Sequence, residues 1–203
     1  MSVFSNDLLT PFAPITLEQM SGVKLMNRTD TKFSTASIER LLADGYEIIL
    51  FYSNSNIYPK EEFDKRLSYM QKLAEIYKLE LIVGEYDHAS WSAAIAGLEN
   101  EPEKGRRCAT CFAYNLARAE AKAKEMGIEE FTTTLTVSPH KISQMIFDAA
   151  KDMKGYVPYN FKKQEGFKKS LQLSEKYGLY RQNYCGCEYS LRSQTEATPA
   201  LLQ

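Results

Sequence analysis

The strongest constraint on this chain is an alternation of two hydrophobic periods. The run "GYEIILFYSN" (45–54) is compact, apolar, and rich in β-branched and aromatic residues, which reads as a buried strand. It is followed by "YPKEEFDKRLSYMQKLAEIYKL", in which Phe63, Leu67, Met70, Leu73 and Tyr77 recur at helical spacing behind a turn proline. "LELIVGEY" (79–86) then reads as the next strand. Strands alternating with helices predict an α/β domain built on a mainly parallel sheet.

The remaining segments extend the same pattern. "HASWSAAIAGL" reads as a short helix. "CATCFAYNLARAEAKAKEMG" reads as a long one, with Phe112, Leu116, Ala119, Ala123 and Met126 as its apolar stripe and Gly127 closing it. "FTTTLTVSPH" reads as a threonine-rich strand. Ser138 and Pro139 after it suit the cap and first turn of a helix, "KISQMIFDAAKDM". "YVPYNF" is expected as a short strand, and "EGFKKSLQLSEKYG" as a helix ended by Gly178. Ligands of such sheets sit beyond the carboxyl ends of the strands, so "TTTLTVSPHK" should line that crevice. The tail from residue 192 is expected to fray.

A chain of 203 residues fits one domain with appendages. The net charge of −1 does not announce a nucleic-acid partner, but residues 151–181 hold eight Lys/Arg against three Asp/Glu. That local excess predicts a helical, basic C-terminal part on an otherwise acidic body. "MSVFSNDLL" does not have the form of a signal peptide, and no run approaches the roughly 18 apolar residues of a membrane span. The expected compartment is the cytoplasm, where close cysteine pairs serve as metal ligands or redox catalysts more often than as staples.

The chain has four cysteines, in two tight pairs. Cys108 and Cys111 follow "EKGRR" at the mouth of a helix. The helix N-terminus and nearby arginines are expected to lower their thiol pKa, and C-x-x-C spacing lets both sulfurs reach one metal centre. Two helix-start cysteines with no ligand are the simpler reading. Cys185 and Cys187 flank Gly186, whose backbone freedom allows a small, constrained disulfide ring that would cycle readily. The other reading makes them half of a four-cysteine zinc site with Cys108 and Cys111. Of the two histidines, His88 is expected at the surface and His140 at the crevice, where it is the better functional candidate.

Residues 34–191 resemble the QueH type of epoxyqueuosine reductase, which acts in the last step of queuosine synthesis on tRNA. The resemblance is carried by "FYSNSNIYPKEEFDKRL", "GLENEPEKGRRCATCF", "FTTTLTVSPHK" and "NFKKQEGFKKSLQLSEKYGLYRQNYCGCEYSL". It implies a Rossmann-like (HUP-like) fold and a [4Fe–4S] cluster that takes Cys108 and Cys111 as two of its ligands. It also implies a redox-active disulfide of Cys185 with Cys187, and an electron donor as partner. Converting an epoxide to an alkene needs two electrons, two protons and loss of oxygen as water. A dithiol stores two electrons, and an acid must protonate the oxygen; His140 and Glu188 are the candidates. Lys162, Lys163, Lys168 and Lys169 are expected to bind the phosphates of the tRNA carrying epoxyqueuosine.

The resemblance breaks at one place. The family pattern near the first strand resembles C-C-x-P-C-S-T, where this chain reads "TDTKFST". Thr29 and Asp30 stand at the double cysteine and Phe33 at the third cysteine. Upstream, "LLTPFAPITLEQMSGVKLMNRTDTKF" looks like the start of a VTC-type polyphosphate polymerase domain. Residues 1–33 are therefore read as a foreign or mis-joined N-terminus, residues 34–191 as the reductase domain and 192–203 as a flexible tail. Val23, Leu25 and Asn27 nonetheless alternate with Lys24 and Met26 as a first strand would. On this reading two of the four expected ligands are missing and the reductase is impaired. The alternative is a zinc-stabilised, non-catalytic RNA-binding module that uses all four cysteines.

Overall fold

The structure, a computed structural model, describes residues 23–28 and 31–191, with side chains from Ser34 onward. Four strands form one parallel sheet: β1 (Val23–Arg28), β2 (Glu47–Tyr52), β3 (Glu80–Val83) and β4 (Glu130–Thr133). Their order is β3-β2-β1-β4. Helices α1 (Thr31–Ala43), α2 (Lys60–Tyr77), α3 (His88–Ala94), α4 (Arg106–Glu125), α5 (Ser143–Ala149) and α6 (Gly166–Lys176) make up the rest. This is the expected Rossmann-like α/β architecture. The chain order reverses between β1 and β4, and the carboxyl ends there define the crevice where such sheets bind ligands.

Alternation along β2 shows why the sheet is covered on both sides. Ile48, Leu50 and Tyr52 join a core with Ile38 and Leu41 of α1, and Phe63, Met70 and Leu73 of α2. Phe51 points the other way, into a core with Phe112, Leu116, Ala119 and Ala123 of α4, Phe131 and Ile146. A strand buried on both faces reads as a continuous apolar run, as this one does. The segment "VKLMNR" does occupy the first-strand position, and its backbone pairs with β2 on one side and β4 on the other.

Three expectations need correction. β4 ends at Thr133, and Thr134–Val137 tightens into a 3-10 turn, with Thr133 Oγ1 accepting from the Leu135 amide. The following helix starts at Ser143, not at Ser138–Pro139; Ser138 instead sits in a turn, its carbonyl accepting from the Lys141 amide. "YVPYNF" does not form a strand of the sheet. It runs beside β4 through a single bridge, Phe131 with Tyr156, its backbone bonding to Phe131 through Gly155 and Val157.

Leu50 is fully buried at the centre of the sheet. Replacement by Ala should cost about 3 kcal/mol of stability. Chemical denaturation checks this; an unchanged midpoint would contradict the two-sided core.

Candidate functional site

Both cysteine pairs come to the carboxyl edge of the sheet. Cys108 and Cys111 occupy the first turns of α4, as their spacing predicts. The Lys104 amide donates to Cys108 Sγ at 3.3 Å. Trp91 Nε1 donates to Cys111 Sγ at 3.3 Å, and Asn115 Nδ2 reaches the same sulfur at 3.6 Å. Cys111 packs in a small apolar cluster with Trp91, Ile95 and Cys187, so residues far apart in the chain share one wall.

At the helix mouth burial outweighs the expected lowering of the thiol pKa. Burial pushes the Cys108 thiol up, against the pull of the Lys104 amide. Burial pushes Cys111 up to about 12. The arginines that should help are occupied elsewhere. Arg106 pairs with Glu101 at 2.6 Å, and the buried Arg107 holds the carbonyls of Glu99 and Glu101.

The second pair is built differently. Arg66 of α2 is fully buried, and its Nε donates to Glu62 Oε1 at 2.7 Å. The rest of its guanidinium donates to the carbonyls of Cys185 at 3.2 Å and Tyr184 at 3.4 Å. The Tyr58 amide donates to the Gly186 carbonyl at 2.8 Å, and Tyr184 Oη returns a bond to the Tyr58 carbonyl. Gly186 has φ +125°, and a Cβ there would lie 3.0 Å from an Arg66 nitrogen. The loop is therefore a pinned piece of backbone that only glycine fits.

Its two sulfurs are unequal. Lys141 Nζ donates to Cys185 Sγ at 3.0 Å. A hydrogen bond from the Cys187 thiol, and then Lys141 and Arg66, hold the Cys185 thiol well below its ordinary value despite burial. The same bond, and burial, push Cys187 up. Cys187 Sγ also lies 3.5 Å from Ser190 Oγ, whose hydroxyl donates to the Cys187 carbonyl at 2.8 Å. Both thiols are free, so a disulfide is not formed here.

The other candidates are scattered. His140 is exposed in the turn after Pro139; its neighbour Lys141 is the residue that reaches the dithiol. His88 is not a simple surface residue. Its Nδ1 donates to the Ser55 carbonyl at 2.8 Å, its ring lies near Tyr58 and Trp91, and Nε2 is 3.7 Å from Glu188. The four lysines do not form one face. Half-buried Lys162 donates to the Lys141 carbonyl, Lys163 is exposed, Lys168 pairs with Glu165, and Lys169 pairs with Glu39 of α1. Thr29 and Asp30 lie outside the described residues, as does the side chain of Phe33.

A four-thiolate cluster does not fit this donor set. Cys108 and Cys111 have N–H donors suited to thiolates, but Cys185 takes the Cys187 thiol and the Lys141 ammonium as its donors. Among the described residues no three His, Cys, Asp or Glu side chains converge as metal ligands.

The fold and site define a Rossmann-like α/β protein with a buried, polarised dithiol at the crevice. Family comparison is specific: the model of "Epoxyqueuosine reductase QueH" matches residues 31–193. The chain belongs to that family of oxidoreductases. It is 36% identical to the Epoxyqueuosine reductase QueH of Streptococcus pyogenes serotype M1 over 172 residues, 79% of this chain and 67% of the relative. It is 35% identical to that of Acinetobacter baylyi over 161 residues, 76% and 74% of the two chains. The Histophilus somni QueH is 32% identical over 191 residues, covering 90% of this chain and 79% of its own, so that alignment runs into the first 33 residues.

The Arg66–Glu62 pair should be required for the C-x-C loop. Glu62→Gln leaves a buried guanidinium uncompensated and should cost about 3 kcal/mol. A lowered urea midpoint together with faster alkylation of Cys185 is the expected result; no change in either would show that the loop is held by other contacts.

Proposed function

We propose that this chain reduces epoxyqueuosine in tRNA to queuosine, with the Cys185–Cys187 dithiol as the store of two electrons. The observation that carries this reading is the pinned dithiol at the sheet's carboxyl edge, in a chain of the QueH family. Loss of the epoxide oxygen as water consumes two electrons and two protons, which is what a dithiol gives up on closing to a disulfide. A soluble dithiol reductant, or a protein with an equivalent pair, must then reopen it. The zinc-module alternative draws no support from the geometry, since the two pairs have distinct partners.

RNA binding would fall on the side of α1 and α6. A cavity of ≈ 490 Å³ there is lined by Arg40, Lys163 and Lys169 with Glu39, and phosphates would compete for the paired lysines. No helix among the described residues is long and apolar enough to cross a membrane.

Incubation of the full chain with tRNA bearing epoxyqueuosine and a dithiol reductant tests the reading. Nucleoside mass analysis should show slow loss of one oxygen, abolished by Cys185→Ser and by Cys187→Ser. Conversion that survives either substitution would refute the dithiol role.

The reading also includes an impairment: the chain holds a [4Fe–4S] cluster poorly because Thr29, Asp30 and Phe33 replace thiols. A carboxylate or hydroxyl is a poor substitute for a soft thiolate toward such iron. Because "VKLMNR" forms the first strand, its carboxyl end at Arg28 lies at the crevice edge. The triple change Thr29→Cys, Asp30→Cys and Phe33→Cys should raise iron toward about four per chain and increase conversion. Four irons in the unchanged chain would contradict the impairment. No gain in the restored chain would mean the segment does not reach Cys108 and Cys111.

A further inference from the structure

We propose that Cys185 is the sulfur that attacks the substrate, that Cys187 resolves it, and that Lys141 is the positioning residue that sets this order. The inference deepens the dithiol reading above and rests on it. Nothing in the C-x-C spacing itself distinguishes the two cysteines. The distinction comes from their surroundings.

Cys185 faces cations. Lys141 Nζ, from the turn before α5, is 3.0 Å from its sulfur, and Arg66 of α2 donates to its carbonyl. Cys187 faces the opposite environment. It is 9% exposed, packs against Trp91 and Ile95, and has the Ser190 hydroxyl as its polar neighbour. An ammonium at hydrogen-bond distance favours a negative sulfur, and an apolar wall disfavours one. The remaining charged and titratable groups do not reverse the asymmetry. Glu62 is committed to Arg66, and Tyr184 is pushed up to about 12 by burial.

Lys141 is itself built into place. Its ammonium lies 5.3 Å from the centroid of the Phe112 ring, a cation–π distance. Its carbonyl accepts from Lys162 Nζ, whose own pKa is lowered by burial. Lys162, expected from sequence to meet RNA phosphate, thus holds the loop that presents Lys141.

The order gives a balanced two-step reduction. Cys185 thiolate attacks one oxirane carbon: a C–S bond forms, that carbon's C–O bond breaks, and the released oxygen takes a proton from solvent. Cys187 then attacks Cys185 Sγ: the S–S bond forms, the C–S bond breaks, and its electron pair becomes the C=C bond while the neighbouring C–O bond breaks. The Cys187 proton leaves with that oxygen as water. The carbon pair gains two electrons, the dithiol loses two, and an external dithiol resets the disulfide.

Alkylation of the reduced full chain by iodoacetamide tests the order without any tRNA substrate. Its failure is therefore distinguishable from failure of the proposed reaction, which is read by nucleoside conversion. Peptide mapping at limited reagent should find label on Cys185 before Cys187. Lys141→Met should slow Cys185 labelling at neutral pH by about tenfold or more, and Lys141→Arg should restore most of it. A general loosening of the loop would instead speed labelling of both sulfurs. Label first on Cys187 in the unchanged chain, or Lys141→Met without effect on Cys185, would overturn the assignment.

Discussion

A buried guanidinium organises the chemistry of this molecule. Arg66 lies with no exposed surface on α2, neutralised by Glu62 one turn away. Burying that charge is tolerable only because its remaining donors are spent on the carbonyls of Tyr184 and Cys185. The cost of desolvating Arg66 and the position of the C-x-C loop are thus one arrangement. The loop in turn takes the amide of Tyr58, which ties the segment after β2 to the segment after α6. A sulfur held this way has a fixed distance to whatever faces it. That is the condition a nucleophile needs if binding is to align it with a reacting carbon.

Electrostatics at the crevice run against the simplest rule. A helix N-terminus favours anions, and Cys108 and Cys111 stand at one. Yet burial dominates there, because the flanking arginines close the 98–101 loop rather than face the sulfurs. Cys185 has no helix behind it, but it has a direct ammonium and a neighbouring thiol as donor. Short charge-assisted bonds outweigh a diffuse terminal dipole inside a low-dielectric site. Burial pushes up the two thiols that looked activated in sequence, while in the pair that looked like a simple ring Cys185 is drawn down.

Most of the scaffold was legible because its signals are periodic. The stripes of α2 and α4 and the apolar run of β2 each match the cores they enter. What could not be read depends on contacts between distant segments. β4 stops at Thr133 because side-chain oxygens satisfy the next backbone groups: Thr133 Oγ1 takes the Leu135 amide, and Thr136 Oγ1 bonds Tyr159 and Phe161. Threonine's strand preference gave no warning of this. His140 drew notice as a titratable residue at a strand end, while Lys141 beside it looked like an ordinary surface charge. The signal available was position: "TTTLTVSPHK" was expected to line the crevice, and it does so with its last residue.

The two cysteine pairs are held in different ways. Cys108 and Cys111 sit at a helix start, with an amide donor at the first sulfur and an indole donor at the second. Cys111 is also a wall of the Trp91–Ile95–Cys187 cluster, where it packs as a small hydrophobe. The dithiol shares that cluster through Cys187 and is also fixed through its backbone. Gly186 is the only residue its backbone allows, and Cys185 is held through its own carbonyl. A change that displaced the C-x-C loop would therefore strand the Arg66 charge and be felt at once in stability.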